Sequence, residues 1–403
     1  MTTPAFDTVV MKFGGSSVAD PDKIRHVAQR FVDAKRRGLN VVGTVSAMGK
    51  TTDQLLALAS DVSPTPNPRE LDMLLSTGER IACALVAMAI DDLGEEAVSY
   101  TGSQAGILTD SAHTRAKIRE IRGDRIRTSL EQGKIVLVAG FQGFSRDTMD
   151  ITTLGRGAGD LTAVALAATL GAACEIHSDV PGVFTADPRI VPEARKLDVV
   201  SYDEMLEMAA SGAKVLQLRS VEFARNHGVK LHVRSTFTGD EGTWITEEDE
   251  RMLEKAMISG VTHTLEEAVY RVSGTDRADL FDALADASVS VDTIIQTGDD
   301  IVFSAPTEDR AATEAALGRL DANWEERADL GKVSVIGAGM KSHPGIAART
   351  FQTLRDLGVE PDLVATSPIK IAFYIPQGDV ERAVVALHEA FELSSVEAER
   401  AHD

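Results

Sequence analysis

Cysteine is scarce in this 403-residue chain, with Cys83 and Cys174 the only two. Two thiols exclude a disulfide framework and a cysteine zinc site, and both lie in apolar stretches, as core thiols do. The nine histidines are scattered, and "HSD" at 177–179 lacks metal-ligand spacing, so no metal is assigned to the protein's own side chains. Long apolar runs are missing too. The run "LTAVALAATLGAAC" (161–174) is too short to span a bilayer and reads as a buried helix. The start, "MTTPAFDTVVMKFGG", has no basic region followed by a cleavable apolar segment, so a cytoplasmic location is expected. Positive charge is short as well: 41 Lys and Arg stand against 62 Asp and Glu, a net −21. That balance opposes nucleic-acid or membrane binding through a general basic surface. An anionic ligand then needs a local positive field, which directs attention to Lys and Arg in glycine-rich turns.

What is present is a globular composition, 43% hydrophobic and 26% charged, on a chain long enough for two or three domains. Through about residue 240, strand-like runs alternate with helical ones. "DTVVMKF" (7–13), "NVVGTVSA" (40–47), "KIVLVAGFQGF" (134–144) and "CEIHSDVPGVF" (174–184) read as strands. "DPDKIRHVAQRFVDAKRRG", "TTDQLLALASDV" and "LDMLLSTGERIACALVAMAIDDLG" read as helices, with "VSPTPNPRE" a proline-broken loop. This alternation predicts an α/β domain, a mainly parallel sheet sandwiched by helices, over 1–240. A polar, acidic linker follows at 241–260. Two approximate repeats of strand, helix, strand, strand, helix then predict ferredoxin-like α+β units over 261–330 and 331–403.

"MKFGGSSVADPDKI" places Lys12 at a strand end before a Gly14–Gly15–Ser16 turn and a helix. That arrangement suits phosphate, because glycines let backbone N–H groups approach closely; an ordinary βα turn is the bland alternative. "SAMGKTTD" falls short of a Walker A loop, since one residue too many separates Gly43 from Gly49, and Lys50 reads as a solvated loop lysine. Its hydroxyls Ser46, Thr51 and Thr52 follow a strand and remain candidate ligand contacts. In "STGERI" Glu79 reads either as part of a capping box at a helix start or as a carboxylate receiving a substrate ammonium. "SDVPGVFTADPRIVP" carries Asp179, Asp187 and Arg189 in a punctuated loop, and "GAKVLQLRSVEFA" places Lys214 at a helix start. "ITTLGRGAGDLTA" (151–163) sets Arg156 and Asp160 among alternating glycines just ahead of a helix.

Together "KFGGSS", "STGER", "GFQGF", "TTLGRG", "SDVPGVFTADPRIVP" and "GAKVLQLRSVEFA" resemble the signature set of the aspartate kinases, in the amino-acid kinase family, and the actinobacterial type in particular. "VIGAGMKSHPG" (335–345) resembles the second of that family's tandem ACT regulatory domains. The resemblance implies ATP- and Mg²⁺-dependent phosphorylation of the β-carboxylate of L-aspartate. Lys12 and Asp160 would be catalytic, and Thr52, Glu79, Arg156 and the position of Gly159 would contact the substrate. Lys12, Gly14, Gly15, Ser16, Ser178, Asp179, Phe184, Arg189 and Lys214 would bind ATP. Effector contacts would fall at Asp292, Gln296, Met340, Ser342 and His343, with lysine and threonine as effectors. A homodimer or larger oligomer through the ACT units is implied as well.

The chain departs from the family pattern in four places, one of them "ATSPI" (365–369) for "STSEI" in the second ACT unit. "GRGGSD" becomes "GRGAGD", putting Gly159 where the family has a substrate-contacting serine; losing such a bond costs on the order of 1.5–3 kcal/mol if nothing replaces it. "IYTDVDGVYTADPR" becomes "IHSDVPGVFTADPR", with Phe184 for tyrosine and His177 read as a packing or rim residue. The first ACT unit has "GTDRAD" (274–279) for "DKPG" and a shortened hairpin, from which weakened or altered feedback is expected. Two other readings stand beside the active aspartate kinase. One is a paralogue phosphorylating a related carboxylate, and the other is a non-catalytic amino-acid sensor subunit.

Overall fold

The first apolar run forms β1 (Thr8–Phe13), and α1 (Pro21–Arg36) begins where Asp20 accepts the Lys23 N–H at 2.9 Å and Pro21 pre-sets the first turn. In this computed structural model the described residues are 7–155, 157–247, 258–338, 340, 343 and 345–394. Arg156 and Ser342 therefore lie outside the described residues. The chain forms two compact units. One comprises Met1–Val183, Lys196–Leu206 and Lys214–Glu248, and the other Phe184–Arg195, Glu207–Ala213 and Asp249–Asp403.

In the first unit β2 (Asn40–Val45), α2 (Thr51–Val62), α3 (Pro68–Asp92), β3 (Ala97–Tyr100), β4 (Ile107–Thr109), β5 (Ile118–Ile121), α4 (Asp124–Glu131) and β6 (Ile135–Ala139) follow α1. Then come β7 (Gln142–Ser145), β8 (Ile151–Thr153), α5 (Gly159–Leu170), β9 (Ala173–Ser178), β10 (Val199–Ser201), α6 (Tyr202–Ala210, its residues from Glu207 on belonging to the second unit), α7 (Leu218–His227), β11 (Leu231–Ser235) and β12 (Thr243–Thr246). An eight-stranded sheet runs β10-β12-β11-β9-β1-β2-β6-β3, parallel except where β12 meets β11. β1 is central, with β2 on one side and β9 on the other, so the strand order reverses beside it. Such a switch point opens a crevice at the strands' carboxyl ends. α1 and α3 cover one face, closing a core that includes Phe13, Phe31, Val86 and Ile90.

Several elements differ from the sequence expectation. "KIVLVAGFQGF" is two strands: β6 stays in the main sheet, and β7 joins a small sheet ordered β5-β4-β7-β8. The chain changes sheets at Gly140–Phe141, where Phe141 takes φ 68°, a left-handed conformation that its side chain type does not advertise. α3 starts at Pro68 with Asn67 as cap, so "STGER" lies mid-helix and the capping-box reading of Glu79 is excluded. α3 is also long and apolar enough to cross a membrane by length and composition, but Leu75, Ala82, Val86 and Ile90 bury one of its faces in the unit's interior. β12 falls in the stretch expected to be linker, yet it pairs in the main sheet.

In the second unit β13 (Gly260–Thr264) is followed by β14 (Glu267–Ser273), α8 (Arg277–Asp286), β15 (Ile294–Thr297), β16 (Asp300–Pro306), α9 (Arg310–Leu317) and β17 (Asn323–Arg327). β18 (Leu330–Ile336), α10 (Gly345–Asp356), β19 (Leu363–Ser367), β20 (Lys370–Pro376) and α11 (Val380–Ala390) complete it. One four-stranded sheet runs β15-β16-β14-β17 and the other β13-β18-β20-β19. Residues 261–264, expected in the first repeat, thus pair with β18 of the second. The first repeat is threaded between two neighbouring strands of the other's sheet. Strand periodicity reports that a strand forms but not which edge it joins.

Candidate active site

The alternation of β1 sends Lys12 to the α5 side of the sheet, and its Nζ lies 2.6 Å from Asp160 Oδ1. Asp160 sits in the first turn of α5, where the helix dipole favours a carboxylate. Gly159 starts the same helix. A Cβ there would lie 3.3 Å from Ser46 Oγ and 3.5 Å from Lys12 Cε, so position 159 opens between those two side chains. Glu79 reaches the same place from α3 because Gly78, beside it, has no Cβ; one would come within 2.8 Å of Ala47 Cβ. The Ala47 N–H donates to Glu79 Oε1 at 3.2 Å, while Oε2 is buried with no hydrogen-bond partner among the described residues. Burial pushes the Glu79 carboxyl up to about 7, against the pull of backbone hydrogen bonds. Lys12, Thr52, Glu79 and Gly159 line one cavity of about 390 Å³, together with Ser46, Asp53, Gly140, Phe141, Gly157 and Ala158.

The remaining sequence-selected residues fall as follows. Gly14 and Gly15 form the turn after β1, a Cβ on Gly14 would stand 3.7 Å from Lys12 Nζ, and Ser16 is exposed on the following 3₁₀ turn. Ser178 ends β9, next to β1, with its Oγ 3.2 Å from the Val180 N–H that it accepts, and Asp179 is exposed beside it. Lys214 lies in the turn ahead of α7 rather than at the helix start. Phe184 and Arg189 belong to the second unit, where the Arg189 guanidinium pairs with Asp187 at 2.6 Å. Also in that unit, Asp292 Oδ2 accepts from Lys332 at 2.8 Å, and Gln296 Nε2 donates to Gly298 O at 3.1 Å. Met340 packs against the second sheet's core, and His343 is exposed just before α10. His177 is a packing residue, stacked on Phe13 at 4.5 Å with Nε2 2.9 Å from Glu175. Lys50 is exposed, as a solvated lysine should be.

Asp53, Gly140 and Phe141 also line the cavity, and the sequence motifs do not single them out for a role. The repeated glycines of "GFQGF" were the available signal for the last two, while Asp53 is one polar residue in an ordinary helical first turn.

The amino acid kinase family profile matches residues 7–235, and an ACT domain profile matches 333–391. The chain belongs to the amino acid kinase family. Among relatives of this amino acid kinase, the aspartokinase of Mycolicibacterium smegmatis is 50% identical over 406 residues, covering 96% of each chain. The crystal structure of an aspartate kinase from Synechocystis is 40% identical with a TM-score of 0.56, covering 95% of this chain and 69% of that one. The fold is shared with E. coli aspartokinase III in complex with aspartate and ADP, at a TM-score of 0.84 and 24% identity over 95% of this chain and 99% of that one.

Proposed function

We propose that this amino acid kinase is an aspartate kinase, transferring the γ-phosphoryl group of ATP to the β-carboxylate of L-aspartate. The observation that carries this reading is the Lys12–Asp160 pair opening onto the same cavity as a buried carboxylate, Glu79, with one unpartnered oxygen. ATP supplies the phosphoryl group: its bond to the bridging oxygen breaks, a bond to the acceptor carboxylate forms, and ADP leaves. The acceptor arrives ionised, so the protein need not remove a proton. Lys12 opposes the negative charge on the transferring group, and Asp160 holds the Lys12 ammonium in place. Glu79 receives the substrate ammonium, Thr52 and Arg156 make its remaining polar contacts, and Gly14, Gly15, Ser16, Ser178, Asp179 and Lys214 serve the nucleotide. Mg²⁺ would neutralise the nucleotide phosphates as the phosphoryl group moves. The protein works in the cytoplasm and assembles through its ACT units. Its feedback by lysine and threonine is altered, because the β15–β16 hairpin closes directly over Gly298–Asp299.

ADP release with L-aspartate and a panel of other carboxylates, run with and without lysine and threonine, tests the reading. Turnover with aspartate is expected, and none with any acceptor overturns it. Gly159→Ser refines the acceptor. Its Cβ fits with a shift of a few tenths of an ångström by Ser46, and the added hydroxyl is expected to raise kcat/KM for L-aspartate about ten-fold. A wild-type preference for a bulkier carboxylate, abolished by Gly159→Ser, would instead identify that carboxylate as the acceptor.

Glu79 also sets a pH dependence. Its neutral form holds below about 7 in the free enzyme and cannot pair with an ammonium. Hence kcat/KM for aspartate is expected to fall about ten-fold per pH unit on acidification below that value. Bound ammonium favours the carboxylate, so the kcat profile breaks at lower pH than the kcat/KM profile. Coincident profiles, or a break that persists in Glu79→Gln, would remove Glu79 from the ammonium site.

A further inference from the structure

Asp72 is a charged residue of the first unit that the kinase chemistry does not use, and it is fully buried on α3. Its carboxylate gathers three donors from two other segments. Thr153 Oγ1, at the end of β8, donates to Oδ1 at 2.6 Å. The Thr114 N–H lies 3.1 Å from both oxygens, and His113 Nδ1 lies 2.9 Å from Oδ2. Thr114 takes φ 66°, a left-handed conformation costly for a β-branched residue, and the two-oxygen grip on its N–H holds it there. The Ala116 N–H then donates to Thr153 O at 2.9 Å, so this loop and the end of β8 are fastened twice. Beyond Thr153 the Leu154 N–H donates to Phe141 O at 2.9 Å, and Arg219 of α7 donates to Leu154 O at 3.0 Å and Ala116 O at 3.2 Å. Gly155, just beyond Leu154, takes φ 94°, and Gly157, Ala158 and Gly159 line the cavity.

We propose that Asp72, through Thr153 and the His113–Thr114 corner, is a positioning residue that fixes where the β8–α5 turn presents itself to the acceptor. Among the described residues this buried carboxylate has no lysine or arginine partner, and such burial is costly unless every oxygen is well bonded. That investment falls on one strand end, one strained corner and the wall they support. Displacing a binding wall by a fraction of an ångström weakens orientation of the acceptor it lines more than it affects the nucleotide contacts made from other segments. The inference rests on the cavity being the acceptor site.

Asp72→Asn keeps the shape but turns one acceptor oxygen into a donor facing either Thr153 Oγ1 or the Thr114 N–H. It is expected to raise KM for the acceptor about ten-fold or more, with KM for ATP changed less than two-fold. Thr153→Val, which removes a single donor, is expected to move KM the same way by a smaller factor, and it stands in if Asp72→Asn does not fold. Hydrogen exchange supplies a readout independent of turnover: the Thr114, Ala116 and Leu154 amides are expected to lose protection in both variants while β1 and β2 amides keep theirs. Lost stability with an unchanged acceptor KM, or protection lost evenly across the unit, overturns the positioning role. A wild-type enzyme inactive on every acceptor defeats the kinase reading instead, and the exchange pattern still decides whether Asp72 holds the turn.

Discussion

Lys12→Ala is expected to lower kcat with L-aspartate by about 10³-fold while leaving the fold intact. The ammonium lies 2.6 Å from Asp160 Oδ1 at the carboxyl end of the central strand, with the Gly14–Gly15 turn beside it. Its charge gains most when negative charge concentrates on the transferring group, so the loss falls on kcat more than on KM for ATP. The Lys12 side chain is partly exposed, so truncation leaves little buried cavity. Removal of the lysine also leaves Asp160, only 7% exposed, without its cation. Asp160→Asn is therefore expected to be less severe than Lys12→Ala, and the double variant no worse than Lys12→Ala alone. Steady-state kinetics of the three variants decide this. A drop of less than ten-fold for Lys12→Ala would place the phosphoryl group elsewhere.

The second large effect is on stability. Lys332→Met is expected to destabilise the regulatory unit by about 3–5 kcal/mol. Lys332 is fully buried on β18, and its ammonium donates to Glu267 of β14, to Asp292 Oδ2 at 2.8 Å and to Ala210 O at 3.2 Å. It thereby joins the two four-stranded sheets. Tyr374 of β20 completes the network, its hydroxyl 3.0 Å from Glu267, 2.9 Å from Ser304 and 2.9 Å from Thr293. Burial pushes the Lys332 ammonium down, but Glu267 and Asp292 outweigh it and hold it above the ordinary lysine range. A raised lysine contributes its stability fully below the unfolded value and loses it only as pH rises through the folded one, so neutral pH lies on the plateau. Asp292 is pushed up by burial but pulled further down by Lys332. Its share is present above the usual carboxylate range and disappears on acidification through it. The two tryptophans separate the units conveniently, with Trp244 on β12 and Trp324 on β17. Urea unfolding in a Trp244→Phe background, followed by Trp324 fluorescence, measures the effect. Adding Glu267→Gln and Asp292→Asn to Lys332→Met is expected to restore part of the loss, because the orphaned carboxylates cause it. A loss under about 1 kcal/mol would mean that the cluster behaves as a solvated surface pair.

Much of the catalytic unit was legible where local rules and tertiary structure agree. Asp20 and Pro21 announced α1, Gly38 at φ 90° closed it, and the strand–Gly-Gly–helix order put Lys12 at a crevice. Lys12, Thr52, Glu79 and Gly159 came from separate short motifs, and the fold gathers them around one cavity. Glu79 was selected for its neighbours in sequence, yet its position depends on a helix that starts well before them at Pro68. Asp72 carried no usable local signal, and Phe141 only the glycines of "GFQGF" around it. A left-handed phenylalanine and a buried aspartate look ordinary in one dimension, and their significance lies in partners far along the chain, at Leu154, Thr114 and Thr153.

The sequence by itself determined the alternating architecture, the glycine-rich turns and the charged set within them, because helix and strand periods, caps and φ preferences act over a few residues. The tertiary structure decided the rest. It split "KIVLVAGFQGF" between two sheets, sent β13 to the far repeat's sheet and raised Glu79 to about 7 by burial. Pairing partners, burial and the protonation they impose depend on which distant segments meet.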